Sequence, residues 1–224
     1  ISLHAFSTML SPGNLRNWMS KYEIIPSGAK SKNIGLVSAG NIPLVAFHDI
    51  IAVLITGHNL HLKLSSKDDV LFPEIRKILI YLSNEFEDKI KLYDGKLENI
   101  EAVIATGSDN SSRYFEYYFG KYPHIIRKNR NSVAILTGEE SPDQLKKLAD
   151  DVFLYFGLGC RNVSKIYMPK GYDPTIILDN FSHYNYLANH TKYANNYDYQ
   201  RAILLVNIIP FLDNGFLIFR EDRS

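Results

Sequence analysis

The chain has 224 residues, 46% of them hydrophobic and 22% charged, an ordinary composition with enough material for one large core or two smaller ones. Its 25 basic residues nearly balance 24 acidic ones, for a formal net charge of +1, so no global field draws it to nucleic acid or to an anionic membrane. A single cysteine excludes an intrachain disulfide and a thiolate metal cluster, and points to a reducing compartment, the cytoplasm by default.

Residues 1–10 show no charged segment leading into a long apolar run, so no signal peptide is expected. The chain opens without Met and stops just after a strand-like run at 215–219, which suggests a fragment. The spacing of apolar residues predicts a short helix over 15–22 with Trp18, and a turn-rich connector over 25–32. A buried strand over 33–38 runs into Ala39-Gly40-Asn41-Ile42-Pro43, followed by an apolar helix over 44–57. Further strands are expected at 60–64, 90–93 and 102–106, with an amphipathic helix over 70–84 and another over 111–119. This alternation indicates an α/β fold with a parallel sheet covered on both faces.

A strand over 132–136 leads to Thr137-Gly138-Glu139-Glu140-Ser141-Pro142, read as a boundary. It separates a first domain, 1–137, from a second, 138–224. A helix over 143–155 then enters Phe156-Gly157-Leu158-Gly159-Cys160-Arg161, and a strand over 164–168 follows. The polar stretch 182–200, rich in Asn, Tyr and His, is compatible with a helix plus loop. The apolar runs 50–55 and 202–209 are far too short to span a bilayer.

Cys160 is the first candidate for chemistry. Glycines at 157 and 159 permit close backbone approach, free N–H groups there can hold an oxyanion, and Arg161 favours a thiolate. The ordinary fate of a lone cysteine is burial as a structural residue, and the flanks alone do not decide between the two. Gly40-Asn41 and Gly107-Ser108 each follow a strand and open a helix, where unpaired N–H groups bind phosphate. A turn glycine with a capped helix explains either equally well. Lys63, at a strand end before Ser65-Ser66-Lys67-Asp68, can reach a ribose or phosphate, or be a solvated strand end. The run Arg127-Lys128-Asn129-Arg130-Asn131 is a phosphate contact or a charged surface turn. His48-Asp49 reads as a packing pair in its helix, His58 and His61 flank a turn into a strand, and His183 or His190 is a possible partner for Cys160. None makes a metal pattern.

Taken together and in order, Asn41-Ile42-Pro43-Leu44, His48-Asp49, Lys63 to Asp68, Ala105-Thr106-Gly107-Ser108, Arg113-Tyr114-Phe115 and Phe156 to Arg161 resemble the acyl-CoA reductase family. That family includes the fatty acid reductase of bacterial bioluminescence and is a divergent branch of the aldehyde dehydrogenase superfamily. The resemblance runs from about residue 33 to 219. It implies an aldehyde-dehydrogenase-like fold, with a cofactor domain to about 137 and part of a catalytic domain after it. It makes Cys160 the acylated cysteine and Asn41 the side-chain donor to the oxyanion. Lys63 contacts the adenosine ribose, and Gly107-Ser108 receives the pyrophosphate. Ser66 stands where NAD-preferring relatives often carry an acid, next to Lys67, which favours NADPH, with NADH as the alternative.

The resemblance has one departure. Around 126–131 the hydrolytic glutamate of aldehyde-oxidising members is absent, so the acyl group is expected to pass to or from a thiol. The implied reaction is NADPH-dependent reduction of a fatty acyl-CoA or other acyl thioester to the aldehyde. The alternatives are a CoA-acylating aldehyde dehydrogenase acting on short aldehydes, and a non-catalytic nucleotide-binding or scaffolding protein. A homo-oligomer or an acyl-transferring partner subunit is compatible with the resemblance.

Overall fold

The computed structural model describes residues 2–22 and 30–222. The connector expected at 25–32 lies mostly outside these. By internal contact the chain divides into two compact units, Ile1–Asn129 and Arg130–Ser224.

The first unit begins with helices α1 (Ser2–Met9) and α2 (Pro12–Met19). Five strands follow, β1 (Asn33–Val37), β2 (Asn59–Lys63), β3 (Ile90–Leu92), β4 (Ala102–Thr106) and β5 (His124–Arg127). They form one parallel sheet in the order β3-β2-β1-β4-β5. Helices α3 (Phe47–Ile55), α4 (Leu71–Leu82), α5 (Glu85–Lys89) and α6 (Asp109–Phe119) make the crossovers.

Strand alternation sorts the core into two faces. Ile34 and Leu36 of β1 and Leu60 and Leu62 of β2 pack with Phe47, Ile50, Ile51 and Val53 of α3 and with Phe72 of α4. On the other face Val103 and Ala105 of β4 meet Phe115 and Phe119 of α6. Gly35 also lies there, because a Cβ on it would come within 3.1 Å of Leu97 and 3.2 Å of Ile100. Burial on both sides is why these strands read as continuous apolar runs.

His61 occupies that second face of β2 and is 3% exposed. Its Nδ1 lies 3.0 Å from the Glu98 carbonyl and 2.9 Å from the Tyr93 hydroxyl. A carbonyl only accepts, so the neutral ring carries its proton on Nδ1. Burial lowers the His61 pKa, the Glu98 carbonyl partly offsets this, and the charge of Lys91 lowers it further. Protonation therefore costs the folded state more than the unfolded one. Stability is full above the unfolded-state value of about 6.5 and falls as pH drops from there toward the lower folded value. Urea midpoints should decline across that window, and the decline should flatten in His61→Gln.

The second unit pairs β6 (Ser132–Ile135) with β7 (Val163–Tyr167), again in parallel, across α7 (Pro142–Phe153). Helices α8 (Thr175–Asn180) and α9 (Thr191–Val206) follow, and β8 (Leu212–Asp213) pairs with β9 (Ile218–Phe219) as a hairpin. β6 belongs with this unit because its ladder is to β7. The compact units therefore divide between Asn129 and Arg130, before the boundary expected at 137. Phe153 centres the core, with ring centroids 5.6 Å from Phe181, 4.9 Å from Tyr184 and 5.6 Å from Phe216.

α7 starts at a capping box. Ser141 Oγ accepts from Gln144 N at 3.3 Å, and Gln144 Oε1 accepts from Ser141 N at 2.8 Å. Ser141→Ala should cost about 1 kcal/mol in a denaturation midpoint, the usual value of such a cap. No helix among the described residues is long and apolar enough to cross a membrane.

Candidate active site

In the first unit the sheet order reverses between β1 and β4. Ligands of open parallel sheets bind at the carboxyl ends of the strands at such a switch point. The residues singled out in the sequence fall there: Asn41 after β1, Lys63 at the end of β2, and Gly107 and Ser108 after β4. Arg127 ends β5 beside them, with the Gly107 N–H donating to its carbonyl at 3.2 Å.

The loops after β1 and β2 are fastened together. Ser38 N donates to the Lys63 carbonyl at 3.0 Å, and Leu44 N donates to Asp68 Oδ2 at 2.8 Å. Gly40 admits no side chain, since a Cβ there would sit 2.3 Å from Ser65 Oγ. Leu44 takes a left-handed φ of 55° and is buried, so the helix expected from 44 starts at Phe47. Asn41 is exposed in this pinned loop, and Ser66 and Lys67 are exposed in the facing turn. Lys63 Nζ donates to the Gly95 carbonyl at 2.7 Å.

α6 opens at Ser108, whose Oγ accepts from Ser111 N at 3.2 Å. Gly107 lets the helix seat closely, because a Cβ on it would lie 2.8 Å from Phe115 and 2.9 Å from Ser111. The helix N-terminus favours an anion. Asp109 places an acid in its first turn.

The sequence gives no hint of the ion pair at this edge. Arg127 Nη1 lies 2.5 Å from Asp49 Oδ2, with side chains 28% and 12% exposed. Asp49 is thus paired with Arg127 rather than with His48, whose ring packs tilted against Trp18 with centroids 5.3 Å apart. Lys128 pairs with Glu116 at 3.0 Å. Two cations of the basic run are therefore occupied by acids 78 and 12 positions away (127 − 49 and 128 − 116), too far for a local pattern to show.

In the second unit Cys160 is exposed in the turn between α7 and β7. α7 stops at Phe153, earlier than the sequence suggests. Tyr155, Phe156 and Gly157 turn left-handed with φ of 55°, 59° and 72°. The Phe156 ring packs tilted against His190, with centroids 4.4 Å apart, and His183 Nδ1 lies 3.2 Å from the Asn180 carbonyl. Among the described residues neither histidine bonds the Cys160 thiol, and nothing accepts from its backbone N–H. Asn162, which sequence reading passed over, makes four side-chain hydrogen bonds within this turn.

No protein-family profile matches the chain, and no curated protein matches it by sequence. Solved structures do match. Aldehyde dehydrogenase C of Pseudomonas syringae, solved with NAD+ and octanal, is 12% identical, with a TM-score of 0.57 over 76% of this chain and 39% of that one. An aldehyde dehydrogenase of Bartonella henselae is 12% identical, with a TM-score of 0.53 over 72% and 39%. KauB, an aldehyde dehydrogenase of Pseudomonas aeruginosa, is 13% identical, with a TM-score of 0.54 over 68% and 34%. The fold is that of aldehyde dehydrogenases. The chain spans between 34% and 39% of the length of these three enzymes.

Proposed function

We propose that the protein is a nicotinamide-dependent oxidoreductase that reduces a fatty acyl thioester to the aldehyde through an acyl-enzyme on Cys160. The observation that carries this reading is Cys160, exposed in the α7–β7 turn of an aldehyde dehydrogenase fold, in a chain with no carboxylate in segment 126–131.

The Cys160 thiolate attacks the thioester carbonyl, forms a C–S bond and expels the coenzyme thiolate, which takes up a proton. The Cys160 backbone N–H steadies the tetrahedral oxyanion, and the family resemblance gives Asn41 the role of side-chain donor. When bound, the cofactor supplies a hydride to the acyl carbon. The Cys160 thiolate then leaves the resulting thiohemiacetal and the aldehyde departs. Segment 126–131 carries no carboxylate of its own, which supports a thiol over water as the partner in acyl exchange.

The strand ends of the first unit support a dinucleotide as the cofactor. Gly107 and Ser108 open an 11-residue helix at the switch point, and Lys63 stands at the end of β2. Ser66 and Lys67 are exposed in the turn after β2, and the Asp68 carboxylate is engaged by the Leu44 amide. That arrangement supports NADPH over NADH. The aliphatic aldehyde bound to the Pseudomonas syringae enzyme supports an acyl-chain substrate.

The test is to follow cofactor oxidation by the full-length protein with acyl-CoAs of increasing chain length, while trapping aldehyde. The reading expects thioester-dependent oxidation, one aldehyde per cofactor, and a faster rate with NADPH. Aldehyde oxidation that proceeds in water without coenzyme A, or no thioester-dependent turnover with either cofactor, would overturn it.

A further inference from the structure

The turn that carries Cys160 is held in shape by one side chain that the proposed reaction leaves without a role. Asn162 is 9% exposed. Its Oδ1 accepts from Gly159 N at 2.7 Å. Its Nδ2 donates to the carbonyls of Asp151, Val152 and Leu154 at 2.8, 3.3 and 3.0 Å. Its backbone N–H donates to the Gly159 carbonyl at 3.0 Å. The turn is thus closed across Cys160, from Gly159 on one side to Asn162 on the other.

These bonds serve two ends. Carbonyls in the last turn of a helix lack intrahelical partners, and the Asn162 amide supplies one where α7 stops. The chain then passes through Tyr155, Phe156 and Gly157, all left-handed, with φ of 55°, 59° and 72°. Residues with side chains disfavour that region, so the path persists only where surrounding bonds hold it. Asn162 grips the chain before this stretch, at 151, 152 and 154, and after it, at Gly159.

We propose that Asn162 is a positioning residue for acyl transfer. Through Gly159 and the end of α7 it sets the place of the Cys160 sulfur and backbone N–H. The proposal rests on the reading of Cys160 as the nucleophile. Asn162 itself touches neither substrate nor cofactor in this account. An isosteric Asp keeps the acceptor to Gly159 but removes both N–H donors to the α7 carbonyls. Ser keeps one hydroxyl donor on a side chain too short to reach either partner.

The test uses the full-length protein, Asn162→Asp and Asn162→Ser, each checked by circular dichroism. Two quantities are compared: single-turnover release of coenzyme A from octanoyl-CoA across its concentration range, and the alkylation rate of Cys160 by iodoacetamide. Misplacing a reacting atom by about 1 Å costs about 100-fold. The maximal rate of acyl transfer should therefore fall about 100-fold in a folded variant, with half-saturation and alkylation changed by less than about threefold, since a small freely diffusing reagent needs no set geometry. A folded variant that transfers the acyl group as fast as wild type would overturn the positioning role. So would equal losses in alkylation and transfer, the mark of a collapsed turn. If the wild type itself releases no coenzyme A, the reading of Cys160 fails first, whatever the variants do.

Discussion

Cys160→Ala should lose thioester-dependent cofactor oxidation by a factor on the order of 10⁴ or more, because no second nucleophile takes over when the attacking atom is removed. The thiol is exposed, so the same change should alter folding stability by less than about 0.5 kcal/mol. Activity lost with stability kept separates a reacting cysteine from a packing one. Stopped-flow measurement of cofactor oxidation beside a thermal melt checks both. Cys160→Ser keeps an oxygen nucleophile of much higher pKa and should fall nearly as far at neutral pH. Retention of even a tenth of the wild-type rate in Cys160→Ala would place the chemistry elsewhere.

Asn41→Ala should lower the maximal rate by about 10²–10³, the usual cost of one side-chain donor to a tetrahedral oxyanion. Half-saturation by the acyl-CoA should change little, because the bond is made in the transition state rather than to the ground-state carbonyl. The loop that carries Asn41 is fastened by Asp68, which accepts from Leu44 N at 2.8 Å. Asp68→Ala would leave that amide unpaired beside a left-handed, buried Leu44, and should cost about 1–3 kcal/mol of stability. The two variants should therefore differ. The first lowers the rate, and the second lowers stability along with part of the rate, as rate and melting data together will show.

Much of the sheet was legible because its strands are buried on both faces. β1, β2 and β4 announce themselves as short apolar runs, each followed by glycine or a polar turn. β5 was missed because it is a four-residue edge strand, with His124 and Ile125 exposed. An edge strand buries too little to show a period. α9 overlaps the stretch 182–200 read as a helix plus loop, but its bounds did not show for a related reason. Leu204 is its one buried residue among those described, so its tyrosines and asparagines carry no stripe.

Other features are tertiary in origin. Leu154 and Tyr155 read as the end of the helix over 143–155, and nothing local marks Tyr155 and Phe156 as left-handed. Their conformation comes from bonds made by Asn162, eight positions beyond Leu154, and from the tilted packing of Phe156 against His190. The Arg127–Asp49 pair joins β5 to α3 across two crossovers. A single sequence shows both partners as ordinary charges. Lys63 was visible as a lysine at a strand end, while its bond to Gly95 was not. The candidate positions were thus readable as residue types at strand ends and turns. The side chains that hold those positions were not.

The most direct test of the central claim is peptide-level mass spectrometry of the full-length protein, quenched in acid after mixing with a fatty acyl-CoA and no cofactor. Cys160 is the only cysteine in the 224 residues, so a thioester adduct on this chain has one place to form. The account predicts one acyl group per chain on the Cys160 peptide, removed by added NADPH with release of the aldehyde. An unmodified Cys160 under conditions that support turnover, or an adduct that NADPH leaves in place, would contradict it.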